Sequence, residues 1–230
     1  DEKLLSFYAL AKENPQALTE KLVFLLNQQL SKFLAYGGYP NVVLAKTAEE
    51  KIGLLDELIN SYLLRDVQIT NYAVNSLQIK KILTLLASQI SSLLDITSLA
   101  TNVGISRNVL VNRLELLQNT FILHFTRPYF TNKTKELVKN PKVCLVDTGL
   151  RNCLLQNFSL LPQTTDFGYL AENFVVAELH KTANSLEQIL YWRTKQGQEV
   201  DVVKKKENLL CPIEIKAGQT ADIPNNLKLF

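Results

Sequence analysis

The sequence has no methionine, one tryptophan, two histidines and three cysteines in 230 residues. Each scarcity excludes something. His124 and His180 both sit in apolar surroundings, so no Ser/His/Asp set can be assembled and a small-molecule hydrolase has no basis. Cys144, Cys153 and Cys211 form no CxxC pair, and buried free thiols in a reducing compartment are the plain reading. No GxxxxGK[ST] is present, so the chain carries no P-loop for ATP. No run approaches the ~20 apolar residues that span a bilayer, and nothing has the form of a signal peptide. A cytoplasmic protein with no membrane partner is therefore expected. Charge excess is also missing: 9 Lys/Arg face 10 Asp/Glu over residues 1–96, and 16 face 12 over 97–230. That mild basic tilt is compatible with nucleic acid without demanding it. With no methionine and Asp1 first, the sequence reads as a piece of a longer protein.

What is present is an ordinary globular composition, 47% hydrophobic and 20% charged. Residues 16–35 place Leu18, Leu22, Leu25, Leu26 and Leu30 at helical spacing, and YGGYP at 36–40 stops the pattern. A second helix begins near Thr47, a reasonable N-cap with Glu49 and Glu50 in the first turn. SLQIKKILTLLASQISSLL predicts a third, with Ile79, Ile82, Leu83, Leu86 and Ile90 on one stripe. In ITSLATNVGISRNVLVNRLELLQ, Thr97 and Ser106 cap two short helices that turn at Gly104, a helix-turn-helix. TFILHFTRPYF behind it supplies two short segments for a wing. Val109, Leu110, Leu114 and Leu117 should face inward, leaving Arg107, Asn108, Asn112 and Arg113 to reach DNA bases and phosphates. The same fold also serves as a protein-docking module, with that polar face merely solvated.

From 120 onward the period changes. KVCLVD reads as a buried strand, with Asp147 as the N-cap of the following helix or, alternatively, a catalytic acid. The apolar helix GYLAENFVVAELHK precedes strands QILYWR, EVDVV and LLCPIEIK, joined as antiparallel hairpins. Strict alternation puts Glu199, Asp201 and Val203 on one face and Val200 and Val202 on the other. Glu214 and Lys216 share a face opposite Ile213 and Ile215. Glu172 leans toward the helix face that packs on the sheet. Three carboxylates and an ammonium thus meet in a partly buried place, which is costly without a compensating partner. A hard divalent cation, Mg²⁺ or Mn²⁺, would resolve the conflict and activate water for phosphodiester cleavage, with Lys216 positioning the nucleophile. The plainer alternative is a solvated Glu199 and an edge-strand Glu214–Lys216 ion pair.

YGGYP (36–40), SYLLRDV (61–67), RPYF (127–130), KNPKVCLVDTGLRN (139–152), GYLAENFVVAEL (168–179), YWR (191–193), EVDVV (199–203) and PIEIK (212–216) occur in that order. On these motifs the chain resembles the C-terminal region of a group of prokaryotic AAA+-type ATPases, in which a domain of unknown function follows the ATP-binding module. LLSFYAL (4–10) is similar to the segment after the last strand of that module. The resemblance implies a lid-like remnant over 1–36, a helical region with a winged helix over 37–130, and an α/β domain like the PD-(D/E)xK nucleases over 131–230. The implied class is α+β or α/β. It implies Glu172 as the helix acid, Asp201 as the central metal-binding acid, Glu214 and Lys216 as the E-x-K, and Glu199 as an auxiliary acid. In that superfamily the core continues with a helix and a strand, whereas 14 residues follow Lys216 here.

Two functions follow. One is a DNA-binding winged helix joined to a Mg²⁺-dependent nuclease-like domain, with ATP confined to an upstream module. The other is a non-catalytic regulatory module that docks the ATPase, a further copy in a homo-oligomer, or another protein, through features such as GGYP and Arg65-Asp66.

Overall fold

The computed structural model describes residues 20–63, 76–130, 139–159, 165–216, 224, 227–228 and 230. LLSFYAL at 4–10, Leu18 and the Arg65-Asp66 pair lie outside the described residues. A helical N-terminal region precedes a five-stranded mixed sheet. The helices are α1 (Glu20–Tyr36), α2 (Pro40–Leu44), α3 (Ala48–Glu57), α4 (Ser76–Ala87), α5 (Ile96–Val103) and α6 (Arg107–Asn119). Then come β1 (Leu123–Pro128), β2 (Lys142–Leu145), α7 (Thr148–Leu155), α8 (Thr165–Thr182), β3 (Glu187–Arg193), β4 (Glu199–Lys206) and β5 (Leu209–Ile213).

Local chemistry sets most of these ends. Thr47 caps α3 through a reciprocal box: its hydroxyl accepts from Glu50 N, and the Glu50 carboxylate accepts from Thr47 N. Helix α4 buries Ile79, Ile82, Leu83 and Leu86, and Ile90 is buried beyond it. The helix stops at Ala87, short of the expected Leu94, because Ser91 N and Leu94 N donate to Val143 O and Pro141 O instead. Asp95, not Thr97, caps α5 by accepting from the amides of Thr97 and Ser98. Gly104 turns at φ +82 into α6, which Ser106 caps. On α1 the expected stripe is only partly buried: Leu22 is inside, Leu25 and Leu30 are exposed, and the helix anchors at its other end through Leu34 and Ala35.

The segment expected to fold as a two-stranded wing is a single strand. The chain turns at Phe121, which takes φ +55, so only the part from Leu123 is extended. Strand β1 pairs antiparallel with β2 and parallel with β3, giving the order β2-β1-β3-β4-β5. Helix α8 lies in the parallel connection and covers one face, where Val176 and Ala177 meet Cys144, Ile189 and Val202. On the opposite face of β3 and β4, Leu190, Val200 and Val203 pack with Tyr129, Trp192, Leu227 and Phe230. Val143 and Leu145 of β2 enter the helical core, so Lys142 and Cys144 point toward α8. The free edge of β2 is satisfied by Ser91 N and by the Asn173 amide, which accepts from Leu145 N and donates to Leu145 O.

The GGYP turn has its partner in DTGLRN. Gly37 takes φ +76 and donates to Phe33 O, closing α1. Gly38 N donates to Asp147 Oδ2, while Asp147 Oδ1 accepts from Leu150 N as the α7 N-cap. Thr148 donates to Phe33 O, and the Asn152 amide donates to Leu34 O and Ala35 O. Arg151 donates to Ala87 O and forks onto Asp166 at the start of α8. A Cβ on Gly37 would stand 1.9 Å from Asp147 Oδ1. Gly37→Ala should therefore cost roughly 2 kcal/mol or more in urea denaturation, from positive φ and overlap together. Gly53→Ala, inside α3 with open space around it, should be neutral or stabilising by up to about 1 kcal/mol.

Packing of α8 on β1 also stacks His180 on His124, with centroids 4.5 Å apart and Lys181 nearby. Burial holds both imidazoles below their ordinary value, His180 at about 4. A group whose pKa falls on folding contributes stability above its unfolded pKa and loses it as pH falls below it. The melting temperature of His180→Phe should thus fall less than that of the wild type between about pH 7 and pH 5, the window set by the unfolded value near 6.5. Equal losses would remove the stacked pair as an acid-labile element.

Candidate functional site

Strand β4 carries a bulge beside the site. Leu190 pairs with Val203 and Trp192 with Val200, so three steps on β4 oppose two on β3. Asp201 and Val202 both fall in the extra step. Strict alternation fails there: Val203 joins Val200 on one face, while Val202 packs under α8. Asp201 lines a small, partly open pocket with Lys142, Glu172, Val176 and Thr126.

Lys142 occupies the centre of this group. Its ammonium donates to Glu172 Oε1 at 2.7 Å, forms an ion pair with Glu199 Oε1, and lies 5.5 Å from the Tyr191 ring centroid. It is only 4% exposed. Burial works against its charge, yet the two carboxylates hold its pKa above the ordinary lysine value. Glu199 Oε2 accepts from Arg193 Nη1 at 3.0 Å. Burial pushes the Glu172 carboxyl up to about 7, with Asp201 and Glu199 adding to the rise and Lys142 opposing it. Asp201 is also raised by burial and by Glu214, against the bond that its Oδ2 accepts from Ile215 N at 2.8 Å.

Glu214 and Lys216 lie just past the end of β5. Lys216 Nζ donates to Glu214 Oε1 at 2.5 Å and is half-exposed, whereas the Glu214 side chain is buried. Ile213 and Ile215 pack with the α8-side cluster. The structure therefore gathers Glu172, Glu199 and Asp201 around Lys142, with the Glu214–Lys216 pair adjoining through the Asp201–Ile215 bond. Glu199 is not a solvated hairpin residue. Among the described residues, two buried oxygens nearby have no hydrogen-bond partner, Thr126 Oγ1 and Glu214 Oε2. The donor chemistry, carboxylates and a hydroxyl, fits a hard divalent cation. Among the described residues no three His, Cys, Asp or Glu stand close enough to hold one as arranged, and Lys142 fills the space between Glu172 and Glu199. Sequence reasoning missed Lys142. The available signal was a lysine in register with Cys144 in a run whose alternate residues are apolar.

On α6, Arg107, Asn108 and Asn112 are exposed. Arg113 is half-buried and donates to Gln78 on α4 at 2.7 Å, which ties two helices together. Val109, expected inside, is exposed.

Among the described residues no helix is long and apolar enough to cross a membrane. No solved structure matches the chain. An uncharacterized protein of Mycobacterium tuberculosis is 25% identical over 194 residues, covering 84% of this chain and 44% of its own length. An uncharacterized protein of Methanocaldococcus jannaschii is 26% identical over 188 residues, covering 80% and 41%. One from Haemophilus influenzae is 22% identical over 207 residues, covering 88% and 48%. The chain thus spans about half the length of the curated relatives it matches. Residues 167–229 match a second family, Domain of unknown function (DUF4143), a domain often found at the C-terminus of AAA-type ATPases. Residues 27–161, more than half of the chain, match Domain of unknown function (DUF8612), and the chain belongs to that family.

Proposed function

We propose that this chain is the DNA-directed C-terminal part of an AAA-type ATPase, with a helix-turn-helix that engages duplex and a nuclease-like site on the sheet. ATP belongs to a module in the half of the relatives that this chain does not cover. The observation that carries the reading is the convergence of Glu172, Glu199 and Asp201 under α8, with Glu214 and Lys216 adjoining and buried oxygens left unpaired. Bound Mg²⁺ or Mn²⁺ would supply Lewis-acid polarisation of a phosphodiester and a more acidic water. Asp201, Glu214 and Glu172 would hold it, with Glu199 auxiliary. Half-exposed Lys216, paired with Glu214, would meet a phosphate oxygen or orient a nucleophile. Glu172, poised near 7 by burial, can hold or release a proton at neutral pH.

The second reading, a non-catalytic docking module, is favoured by Lys142. With that ammonium seated, Lys142, Arg193 and Lys216 oppose four carboxylates, and the cluster is nearly balanced without any ion. The exposed apolar face of α1, with Val23, Phe24 and Leu30, would then serve an interface with the ATPase or a further copy.

Two measurements divide these readings. Plasmid nicking in Mg²⁺ or Mn²⁺ should be lost in Asp201→Asn, a substitution that retains an acceptor for Ile215 N. Nicking at wild-type rate by that variant ends the nuclease assignment. Duplex affinity should fall roughly tenfold between about 50 and 200 mM salt, and Arg107→Ala should lower the log–log slope by about one. No binding at about 50 mM salt leaves the docking module.

A further inference from the structure

We infer that Lys142 is a built-in cation occupying the seat of a divalent metal ion, so that metal binds the acid cluster only when this ammonium withdraws. The inference rests on reading the cluster as a cation site and does not require cleavage.

The seat is assembled from three elements. Glu172 comes from α8, Glu199 from the first residue of β4, and Tyr191 from β3, its hydroxyl tied to Asn140 O at 2.7 Å. Lys142 reaches it because β2 alternates: Val143 and Leu145 enter the helical core, which turns residue 142 toward α8. The ammonium stands between the Glu172 and Glu199 carboxylates, where a metal ion bound to both would have to sit. Two positive centres cannot share that volume, so occupation by lysine and by metal are alternatives.

The seat offers more oxygen than lysine uses. An ammonium has three N–H donors, and here Glu172 and Glu199 engage it. Thr126 Oγ1, 1% exposed and lining a pocket with Lys142, Glu172 and Asp201, is left without a partner among the described residues. Outside the pocket, in the adjoining Glu214–Lys216 pair, Glu214 Oε2 is likewise unpartnered among the described residues, on a side chain 4% exposed. Unpaired buried oxygens are costly and uncommon. A hard cation, which takes six or more oxygen ligands, would make use of the surplus that a lysine leaves. Formal charge points the same way. Four carboxylates against Lys142, Arg193 and Lys216 leave one negative charge, and a divalent ion in place of one ammonium would cancel it.

The test uses Mn²⁺ on the EDTA-stripped chain, read by calorimetric titration. Lys142→Gln should bind Mn²⁺ at least tenfold more tightly than the wild type, and Mn²⁺ should raise its melting temperature more. Equal or weaker binding by Lys142→Gln, or no Mn²⁺ uptake by either protein, overturns the inference. A wild-type measurement covers the case in which the variant does not fold. Lys142 should resist amine acylation in EDTA and become labelled in saturating Mn²⁺, as followed by mass spectrometry. Unchanged protection with Mn²⁺ bound also overturns it. Nicking is scored separately. Metal exchange at Lys142 without cleavage removes the nuclease function alone, and Mn²⁺-dependent cleavage with Lys142 still protected removes the exchange alone.

Discussion

A single polar clamp between α1 and α7 decides where everything else lies. The last carbonyls of a helix need partners, and those of α1 find them in side chains more than a hundred residues away: Thr148 on Phe33 O, and Asn152 on Leu34 O and Ala35 O. Asp147 answers in the other direction, accepting the Gly38 amide while capping its own helix. All of these side chains are buried, so each lost bond strands its partner away from water. Arg151 extends the clamp to the end of α4 and, through Asp166, to the first turn of α8. Glu172 sits six residues further along that helix. The orientation of the acid site is thus inherited from a network that contains none of its residues.

Much of the fold follows from periodicity and capping in the sequence. The α4 stripe, the capping box at Thr47, the turn at Gly104 and the N-cap role of Asp147 are all consequences of local spacing. What escaped depends on contacts distant in the chain. Leu25 and Leu30 have helical spacing, but no described element covers them. Arg113 has the chemistry of a base reader, but Gln78 lies within reach. The period of α4 continues past Ala87, yet the edge of β2 competes for the next amides.

The acid site shows the same division. Glu172 could be placed from the apolar stripe around it, and a hairpin could be drawn about KKKEN. The bulge at Asp201–Val202 could not, since it is defined by register against β3. Without it Val203 would share a face with Asp201 beneath α8 instead of joining Val200 on the far side. The counterion was invisible for a related reason. A lysine ahead of VCLV reads as a solvated strand end until α8 and β4 close over it. Buried ion clusters seldom add net stability compared with apolar packing of the same volume. A cluster retaining unpaired oxygens is weaker still as a device for folding.

The route from the helix-turn-helix to this cluster is short and covalently simple. Asp95 caps α5, and the residues just before it are stitched to β2: Leu94 N donates to Pro141 O, Ser91 N to Val143 O, and Leu93 bridges Lys142. Ser91 also donates from its hydroxyl to Tyr169 O on α8, one turn before Glu172. The backbone that begins the helix-turn-helix therefore holds both the strand that presents Lys142 and the helix that presents its carboxylate partner. Residues 91–94 thus tie the start of the helix-turn-helix to β2 and to α8 together. The two halves of the molecule meet at the ion pair that controls the charge of the site.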